Sequence, residues 1–417
     1  MKIVISTAVY YPMTNGVATF SHNLAAGLVR RGHEVMVLCP SLTGKNHTEI
    51  QDGGVKVVYL KSIELAVYPD QINPIPPKKK LLGKEMPHVL YKNGLHASVL
   101  PSREIRKALN SFKPDIIHCQ VSDPIGIAVV RYAHKNHIPL ITTEHNYPDV
   151  ITDPLKLPKI VKKPVDAILA SYFVSRQKKS DYVTMPTQLA IDDLILKREK
   201  NFKIPVEAVS NGVDLSSFKP GKAPAAIYKK YNIPKNRPIV LYVGRVDPEK
   251  RIDIVLKAFK TVLANVPKAV LVITGDGVAR VELEALADKL GIRESVLFLG
   301  RVMPPDLYEI YKVGDVFATA SEIETQGIVL IEAAATGLPL IAVDKGAVKE
   351  VCQDNKNGFL CTPKSVDEIA AGLVKILKNT KMRERFAKKS LEIASKHDIN
   401  RTLARFEEIY KEVINKR

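Results

Sequence analysis

The sequence predicts an α/β protein built from two doubly wound, Rossmann-like domains. Its 417 residues exceed what one ordinary hydrophobic core supports and fit two domains. In both halves, short apolar β-branched runs alternate with amphipathic helical stretches, which is the pattern of a parallel sheet covered by helices. We expect a first domain over residues 1–190, a second over residues 191–398, and a terminal helix over residues 399–417.

The composition is that of a soluble globular chain with a strongly basic balance. Hydrophobic residues make up 46% and charged residues 25%, and no apolar run reaches the ~18 residues of a membrane span. The N-terminus shows no cleavage site of a signal peptide, and the four cysteines form no C-x-x-C pair, which favours a reducing cytoplasm. The net charge of +18 implies an anionic partner, which is a nucleotide, a nucleic acid or an anionic lipid surface.

The first half begins with a strand, loop and helix typical of a parallel sheet. The periodic segments, in order, are strand 2–7, helix 17–31, strands 34–39, 55–61 and 115–119, helix 123–134, strand 138–143, helix 156–179, strand 181–185 and helix 187–197. The loop before the first helix lacks G-x-G-x-x-G, which argues against a dinucleotide site. Gly16, at the start of that helix, admits a phosphate or sugar, or is a plain turn glycine.

Two basic segments of the first half contain large apolar residues. Residues 68–113 form a long irregular stretch with several prolines and three consecutive lysines at 78–80. Residues 156–179 have basic ends around an apolar centre, which packs on the sheet, touches lipid, or does both in turn. Basic residues interleaved with apolar ones are typical of membrane-surface segments, and a solvated flap is the alternative for the first segment.

Two histidines lie where strands of the first half end. His118 belongs to D-I-I-H-C, and His145 follows the strand 138–143 in a polar loop. Ligands of open α/β sheets gather at the carboxyl ends of strands, so both histidines are candidates to contact a substrate. A single histidine is more often structural, and of the two His145 is the better catalytic candidate.

The second half has a cleaner alternation after a charged crossing at residues 197–203. Its strands are expected at 238–243, 269–274, 296–299, 315–320, 338–343 and 359–361, and its helices at 252–266, 281–290, 307–313, 328–335, 366–377, 382–396 and 401–415. Arg245 and Lys250 follow the first of these strands. A guanidinium and an ammonium suit a diphosphate, and the alternative is a loop ion pair with Asp247 or Glu249.

Residues 321–337, S-E-I-E-T-Q-G-I-V-L-I-E-A-A-A-T-G, carry the most chemical information. The helix expected there is apolar on every side except at Glu332, so the helix is buried and Glu332 must face a polar group. Gly327 precedes the helix and lets a ligand approach its free N–H groups, which favour an anion such as a phosphate. Glu324 and Glu332 then flank that anion, which suits a diphosphate between two hydroxyl-rich sugars. The alternative is that Glu324 caps the helix and Glu332 bonds a neighbouring loop.

The order of the motifs resembles glycosyltransferase family 4, which comprises retaining enzymes of the GT-B fold. The second half contains G-R-x-x-x-x-K, then G-D-G, F-L-G and E-x7-E, and the first half contains D-I-I-H and T-x-x-H, with S-N-G-V-D after the crossing. E-x7-E with G-R-x-x-x-x-K at these spacings is the specific part. The resemblance implies two Rossmann-like domains facing a deep interdomain cleft, the first binding the acceptor and the second the nucleotide-sugar donor. It also implies that the last helix returns to the first domain.

The resemblance implies roles for individual residues. The expected catalytic residues are Glu324 on the transferred sugar, Arg245 and Lys250 on the leaving diphosphate, and His145 near the sugar 6-hydroxyl and the acceptor. The two cations replace a metal, no D-x-D triplet occurs, and no cofactor or metal is expected. Glu332 is expected to hold the ribose. The other residues expected to contact substrate are Gly16, Val17, His118, Gly275, Phe298, Gly300, Val302, Thr325, Gln326, Gly327, Ile328 and Val329.

One departure from the family pattern narrows the resemblance. Many members have Phe or Tyr where this chain has Gln326, and E-T-Q-G-I-V-L-I-E-A, like T-N-G-V-A near the start, resembles the bacterial diacylglycerol glucosyltransferases. This implies UDP-glucose as donor and a lipid acceptor at an anionic membrane surface, the inner face of the cell membrane. The alternatives are a GDP-mannose-dependent phosphatidylinositol mannosyltransferase and a transferase with a soluble acceptor. The residues themselves do not separate glucose from galactose or UDP from GDP.

Two other classes of protein fit parts of the sequence. An NAD-dependent oxidoreductase also has Rossmann domains, and G-D-G-V-A-R faintly echoes its fingerprint, but the third glycine is missing. A nucleic-acid binder fits the charge but needs an aromatic stacking motif that this chain lacks, so no nucleic-acid partner is expected. The sequence does not determine an oligomeric state.

Overall fold

The chain forms two compact units. The computed structural model describes residues 1–13, 15–65, 80–81, 84–85, 95–120, 123–145, 147–148, 152 and 157–417. Unit 1 comprises Met1–Asn211 and Ile399–Arg417, and unit 2 comprises Gly212–Asp398. Half of the basic segment predicted at 68–113, including the first two lysines of the run at 78–80, lies outside the described residues.

Unit 1 alternates strands and helices along the chain. Its strands are β1 (Lys2–Ser6), β2 (Glu34–Pro40), β3 (His47–Gln51), β4 (Val55–Leu60), β5 (Ser62–Leu65), β6 (Lys80–Leu81), β7 (Lys84–Glu85), β8 (Leu95–Ser98), β9 (Ile116–Cys119), β10 (Leu140–Thr143), β11 (Tyr182–Met185) and β12 (Val206–Ala208). Its helices are α1 (Gly16–Arg30), α2 (Ser102–Phe112), α3 (Pro124–Lys135), α4 (Lys159–Gln177), α5 (Gln188–Ile191) and, at the end of the chain, α14 (Ile399–Asn415). The predicted strands and helices of this half are recovered with small shifts of their ends, except that the helix predicted at 187–197 is an α-helix only over Gln188–Ile191 and continues as a π-helix over Asp192–Leu196.

The large sheet of unit 1 has the order β12-β11-β10-β9-β1-β2-β4-β3. Every neighbouring pair is parallel except β3 with β4. From β1 the chain first builds outwards through β2 and β4, then returns to the other side of β1 with β9. The crevice at the carboxyl ends of β1 and β9 is therefore the switch point at which a sheet of this type binds ligands.

Three predictions for the first half are wrong in their bounds. The boundary expected after residue 190 falls inside unit 1, because β12 pairs with β11 and extends the same sheet. The charged stretch 197–203 accordingly leads to the last strand of unit 1. The supposedly irregular segment 68–113 contains β8, which pairs with β5, and the helix α2, whose Ile105 and Leu109 are buried.

The last helix, α14, belongs to unit 1. Leu403, Phe406 and Tyr410 are buried in the same cluster as residues of β1, β2 and α1. A Cβ placed on Gly27 of α1 would lie 2.5 Å from a methyl group of Leu403, so the two helices pack without room for a side chain there. The Arg31 guanidinium and the His33 ring also both contact the carboxylate of Glu407 on α14, at 2.7 Å each.

Unit 2 consists of one parallel sheet covered by helices. Its strands are β13 (Ile239–Val243), β14 (Val270–Thr274), β15 (Val296–Gly300), β16 (Val316–Ala318), β17 (Leu340–Val343) and β18 (Gly358–Cys361). Its helices are α6 (Ala225–Lys230), α7 (Ile252–Asn265), α8 (Arg280–Leu290), α9 (Asp306–Tyr311), α10 (Ile328–Ala335), α11 (Val348–Val351), α12 (Val366–Lys378) and α13 (Thr380–Ala394). Apart from α6 and α11, each was expected from its periodicity.

The sheet of unit 2 has the order β15-β14-β13-β16-β17-β18, with all pairs parallel. The chain builds from β13 outwards to β15 and then restarts on the other side at β16. The switch point of unit 2 therefore lies between β13 and β16, and the loops that follow these two strands meet there.

Two further predictions concern membrane spans and cysteines. Among the described residues, no helix combines the length and apolar character needed to span a membrane. The four cysteines, Cys39, Cys119, Cys352 and Cys361, all lie in the described part of the chain, are buried and form no disulfide.

Candidate functional site

The loop after β13 carries Arg245 and Lys250, the two cations expected to bind a diphosphate. The Arg245 guanidinium contacts the carboxylate of Asp247 through Nη1 and that of Glu249 through Nη2, the latter at 2.5 Å. The Tyr242 hydroxyl donates to the carbonyl oxygen of Arg245 at 2.7 Å and so holds the loop backbone. The structure therefore contains the alternative given for Arg245 in the sequence analysis, an ion pair within its own loop.

Lys250 ends the same loop and behaves differently. Its Nζ donates to Glu324 Oε1 at 2.7 Å, and the two side chains are only 16% and 17% exposed. Because Lys250 follows β13 and Glu324 follows β16, this ion pair spans the switch point of unit 2. The alternative in which Glu324 caps the following helix is not what the structure contains, since the cap residue of α10 is Gly327, and no side chain accepts a cap hydrogen bond there.

The helix α10 begins beside this ion pair. Gly327 precedes it with φ 76°, a left-handed conformation that glycine adopts at little cost. The amides of Ile328 and Val329 belong to its first turn, where no intrahelical carbonyl is available to them. Gln326 is buried, whereas Thr325, Ile328 and Val329 are partly exposed. The start of α10 thus presents backbone N–H groups next to Glu324, as an anion site requires.

Glu332 lies one turn along α10 and finds its polar partner on α9. The Tyr311 hydroxyl donates to Glu332 Oε2 at 2.5 Å. Burial of the carboxyl group raises the pKa of Glu332 to about 7, and the hydrogen bond from Tyr311 only partly opposes this rise. The expectation that Glu332 faces a polar group is met by a tyrosine that the sequence did not single out.

Glycines bring the loops after β13, β14 and β15 together. Gly275, with φ 127°, donates its N–H to the carbonyl oxygen of Gly300 at 2.8 Å. A Cβ on Gly275 would lie 1.9 Å from the carbonyl oxygen of Gly244, so only glycine fits at this position. Nearby, the carboxylate of Asp247 accepts from the N–H of Val278 at 3.2 Å, which ties the G-R-V-D loop to the G-D-G loop.

Three of the residues expected to contact substrate, Phe298, Gly300 and Val302, differ in how accessible they are. The Phe298 ring is partly exposed, with the Arg293 guanidinium 5.7 Å from its centroid. Gly300 takes φ 71° at the end of β15. Val302, in contrast, is buried in a hydrophobic core of unit 2, so its side chain is not available to a ligand and only its backbone remains a candidate.

In unit 1, the loop after β1 leads into α1. The Asn15 side chain caps this helix by accepting from the N–H of Ala18 at 2.9 Å. Gly16 is an exposed residue of the first turn, and the partly buried Val17 packs on a small apolar cluster with Val9 and Met13. The exposed backbone at Gly16 is open to a ligand.

His118 does not fit the role of a substrate-binding residue. Its side chain is fully buried, Nδ1 bonds the Tyr410 hydroxyl at 2.8 Å, and Nε2 bonds Thr143 Oγ1 at 2.6 Å. Burial lowers its pKa to about 3, so the ring is neutral and fully satisfied within unit 1. Of the two histidines, His118 is the structural one, and this prediction is corrected.

His145 follows β10 near the switch point of unit 1. Its Nε2 faces Gln120 Oε1 at 2.7 Å, and its ring lies 5.0 Å from that of Phe20. Burial lowers the pKa of His145 to about 3, so the imidazole is neutral at physiological pH. Gln120 directly follows β9, and its backbone N–H donates to the carbonyl oxygen of Ser6 at the end of β1. A polar residue at a strand end was the signal that would have identified Gln120.

The structure therefore gathers two groups of side chains at two switch points. In unit 2, Lys250, Glu324, the start of α10, Arg245 and the glycine loops lie at the carboxyl ends of neighbouring strands. In unit 1, His145, Gln120 and the start of α1 lie at the corresponding ends. No group of three or more His, Cys, Asp or Glu side chains in the described part of the chain is arranged to hold a metal ion.

Comparison with known proteins identifies the family. The family model described as Glycosyltransferase Family 4 matches residues 14–217, and the model described as Glycosyl transferases group 1 matches residues 225–392. The chain is 27% identical to the alpha-monoglucosyldiacylglycerol synthase of Acholeplasma laidlawii, over 100% of this chain and 98% of that protein. It is 27% identical to the Streptococcus pneumoniae enzyme of the same name, over 86% and 75%.

A third relative and two solved structures complete the comparison. A GDP-mannose-dependent phosphatidylinositol monomannoside mannosyltransferase of Mycobacterium tuberculosis is 33% identical over 41% of this chain and 46% of its own. The sucrose-phosphate synthase of Thermosynechococcus elongatus superposes with a TM-score of 0.76 at 16% identity over 100% of both chains. HepE of Anabaena, solved with UDP and glucose, superposes with a TM-score of 0.72 at 18% identity over 99% of this chain and 100% of its own. This chain belongs to the GT-B glycosyltransferases, with a family 4 domain followed by a group 1 domain.

Proposed function

We propose that this protein is a retaining hexosyltransferase that moves glucose from UDP-glucose to a membrane lipid such as diacylglycerol, with an α-glycosidic product. The observation that carries the proposal is the Lys250–Glu324 ion pair across the switch point of unit 2, beside the start of α10. This arrangement offers a cation for a diphosphate, a carboxylate for sugar hydroxyls and helix N–H groups for phosphate oxygens. The two glucosyldiacylglycerol synthases among the relatives support the choice of donor and acceptor.

In this proposal the donor lies along the carboxyl edge of the unit 2 sheet. The Glu324 carboxylate accepts hydrogen bonds from hydroxyls of the transferred sugar, and the amides of Gly327 and Ile328 donate to the phosphates. Glu332 accepts from the ribose hydroxyls. Thr325, Gln326 and Val329 form the surrounding wall. Gly275 has no side chain and so leaves room for the phosphates. The base lies against the backbone from Phe298 through Gly300 to Val302.

Cleavage of the bond between the anomeric carbon and the diphosphate places negative charge on the departing UDP. Arg245 and Lys250 stabilise that charge, which is the usual place for the largest electrostatic contribution to such a reaction. Both cations contact carboxylates before the donor binds, so the diphosphate must compete with Asp247 and Glu249 for Arg245 and with Glu324 for Lys250. We propose that these cations suffice and that the chemistry requires no metal ion or other cofactor.

Unit 1 provides the acceptor side in this proposal. His145, neutral and held by Gln120, contacts the sugar 6-hydroxyl and the acceptor, and the exposed backbone at Gly16 and Val17 leaves room beside the diphosphate. The lipid acceptor places the enzyme at the inner face of the cell membrane, where anionic lipids attract a chain of net charge +18.

A second candidate function rests on a specific relative. The mycobacterial mannosyltransferase is 33% identical over 41% of this chain, which favours GDP-mannose as donor and a phosphatidylinositol-type acceptor. A transferase with a soluble acceptor is the third possibility. All three use the same unit 2 chemistry and differ in the base, the sugar and the acceptor.

The test is a matrix of donors and acceptors. Purified protein is incubated with UDP-glucose, UDP-galactose or GDP-mannose, each with vesicles containing diacylglycerol, vesicles containing phosphatidylinositol, or soluble sugars, and products are identified by mass spectrometry. The proposal expects the largest yield for UDP-glucose with diacylglycerol. Preferred transfer of mannose to phosphatidylinositol, or transfer to soluble sugars alone, would replace it with one of the other candidates.

A further inference from the structure

The helix α4, Lys159–Gln177, carries apolar side chains both on the face packed against unit 1 and on its outer face. On one face, Ala170, Phe173 and Val174 are buried in or against the core of unit 1, with Val183 and Met185 of β11 in the same cluster. A helix with one such face ordinarily turns charged and polar residues outwards. The sequence left open whether the apolar centre of this segment packs on the sheet or contacts lipid.

The outer face of α4 is also apolar. Ile160 is 84% exposed and Ile168 is 67% exposed, and Val161 and Tyr172 are exposed as well. Positions 160, 161, 164, 168 and 172 recur at helical spacing, so these side chains form one stripe along the helix. Exposed Pro164, Ala167 and Ser171 lie between them and leave the stripe without a charge.

This concentration of exposed apolar side chains is particular to α4. Thirteen large hydrophobic residues are exposed in the described part of the chain, and four of them belong to this one helix. Of the other nine, Val99 and Leu100 are neighbours in the chain, and the remaining seven are spread over both units, which is ordinary for a folded protein. A contiguous apolar patch bordered by polar residues marks an interaction surface.

The charges beside the stripe are positive. Lys163 is exposed, and within the described residues no carboxylate lies within ion-pair distance of its ammonium group. The Lys162 ammonium contacts the Asp166 carboxylate at 2.7 Å, and Asp166 also accepts a hydrogen bond from the Thr152 hydroxyl at 2.6 Å. The carboxylate of this helix is therefore paired at the side of the stripe. Lys178 and Lys179, both exposed, follow the end of the helix, and Lys178 is paired with Glu199 at 2.5 Å.

We infer that the outer face of α4, defined by Ile160, Val161, Ile168 and Tyr172, docks on an anionic bilayer. The apolar side chains enter the boundary between headgroups and acyl chains, Tyr172 lies at the interface, and Lys163 contacts lipid phosphates. The inference rests on the proposed lipid acceptor, and it assigns to a particular surface the membrane contact that such an acceptor requires. A second copy of a chain with net charge +18 would instead bring like charges together, so the bilayer is the occupant that the charge favours.

A fluorescent reporter can test this surface directly, because the chain contains no tryptophan. Ile168→Trp places a single indole on the stripe, and Val281→Trp places one on α8 of unit 2, where Val281 is 58% exposed. Both full-length variants are titrated with phosphatidylglycerol vesicles, phosphatidylcholine vesicles and lipids brominated along their acyl chains. The emission of the first variant is expected to shift to the blue and to be quenched by brominated anionic lipid, whereas the second variant shows neither change.

A loss-of-function pair complements the reporter. Ile160→Ser with Ile168→Ser removes the two most exposed side chains, and we expect vesicle affinity to fall by about tenfold or more for each. Val281→Ser removes a comparably exposed side chain elsewhere and leaves vesicle affinity unchanged. UDP binding and slow hydrolysis of UDP-glucose, which depend on unit 2, stay at the wild-type level in both variants, and a wild-type circular dichroism spectrum and unfolding midpoint establish that unit 1 is folded.

The outcomes separate this inference from the proposed function. If wild-type protein glucosylates vesicle-embedded diacylglycerol but the Ile168→Trp emission ignores anionic vesicles, the docking surface is overturned and the proposed function stands. If the emission shifts with protein concentration in the absence of vesicles, the stripe is an interface between copies of the chain, and the inference is equally overturned. If vesicles bind through α4 but no lipid is glucosylated, the docking surface stands and the lipid acceptor is refuted.

Discussion

Replacing Glu332 with glutamine tests whether this carboxylate is kept for a ligand at the expense of stability. Glutamine has the same shape and can still accept the hydrogen bond from the Tyr311 hydroxyl, so the change removes only the ionisable group. In the folded protein, burial raises the pKa of Glu332 from its ordinary 4.5 to about 7. Ionisation of this group is therefore harder in the folded chain than in the unfolded chain.

The sign and size of the effect on stability follow from that difference. Below about pH 4, Glu332 is protonated in both the folded and the unfolded chain, so it adds no pH dependence to the free energy of unfolding. As the pH rises through about 7, the stability that the protonated carboxyl group contributes to the folded state is lost. At about 1.4 kcal/mol for each tenfold difference in acidity, the loss is on the order of 3 kcal/mol by about pH 8. Glu332→Gln escapes this loss, so its advantage over wild type should grow between about pH 5 and about pH 8.

Thermal unfolding of both proteins across this pH range provides the measurement. For a unit of this size, each kcal/mol shifts the midpoint by about 2–4 °C, so several degrees should separate the variant from wild type at about pH 8. At about pH 4 the difference should be close to zero. A constant offset at every pH, or a variant that becomes less stable as the pH rises, would refute the reasoning.

Nucleotide binding should respond in the opposite direction. In the proposed function the carboxylate forms a charge-assisted hydrogen bond with the ribose, so Glu332→Gln should weaken UDP binding by about 1.5–3 kcal/mol. Because such a bond favours the ionised form, wild-type protein should release up to about half a proton on binding UDP near pH 7, and the variant should not. Calorimetry in two buffers of different ionisation enthalpy measures this release. Unchanged UDP affinity in the variant would make Glu332 a purely structural residue.

The other predictions concern the remaining charged residues of the site. Arg245→Ala and Lys250→Ala should each lower donor turnover by about 10²–10³, the usual loss for one preorganised charge-stabilising group, which steady-state kinetics with UDP-glucose would detect. Chelation with EDTA should leave turnover nearly unchanged, and activity that returns only with added Mn²⁺ or Mg²⁺ would contradict a role for these cations in place of a metal. Glu324→Gln should lower kcat while free UDP still binds with nearly wild-type affinity, and calorimetry showing the same loss of UDP binding as in Glu332→Gln would refute the sugar-binding assignment.

The α/β fold with parallel sheets in two domains could be predicted because it depends on local patterns. Apolar runs of strand length alternate with helical periodicity from β1 to α13, and each pattern reports the environment of its own segment. The placement of Lys250 near Glu324 also follows from pattern, since both residues follow strands, and parallel strands bring such ends to one edge of a sheet. The resemblance to glycosyltransferase family 4 rests on the motifs that contain these two residues, G-R-x-x-x-x-K and E-x7-E.

Contacts between distant segments could not be predicted in this way. His118 lies near the end of the strand in D-I-I-H-C, and only the structure shows that Tyr410, 292 residues later, hydrogen-bonds one of its ring nitrogens. Tyr311 belongs to a short helix without a distinctive pattern, so nothing in the sequence linked it to Glu332. The boundary after residue 190 was misplaced for a similar reason, because β12 is three residues long and its place in the first sheet depends on pairing with β11.

The composition of α4 does not predict which of its apolar side chains are exposed. The sequence identified an apolar centre between basic ends, but burial alone decides which of those apolar side chains face the core. Ala170 and Phe173 are buried, whereas Ile168, two residues before Ala170, is exposed. A pattern that is apolar on two faces fits a buried helix and a membrane-surface helix equally well, and the structure shows that one of the two faces is exposed.

The most direct test of the central claim is the identity of the product formed from UDP-glucose and diacylglycerol in vesicles. Lipids are extracted after incubation with wild-type protein and with the Lys250→Ala variant, and the product is analysed by mass spectrometry and by the proton coupling at its anomeric carbon. The proposed function requires a monoglucosyl diacylglycerol with an α-linkage, formed in step with UDP release and strongly reduced in the variant. A β-linked product, or UDP release without any glucosylated lipid, would contradict it.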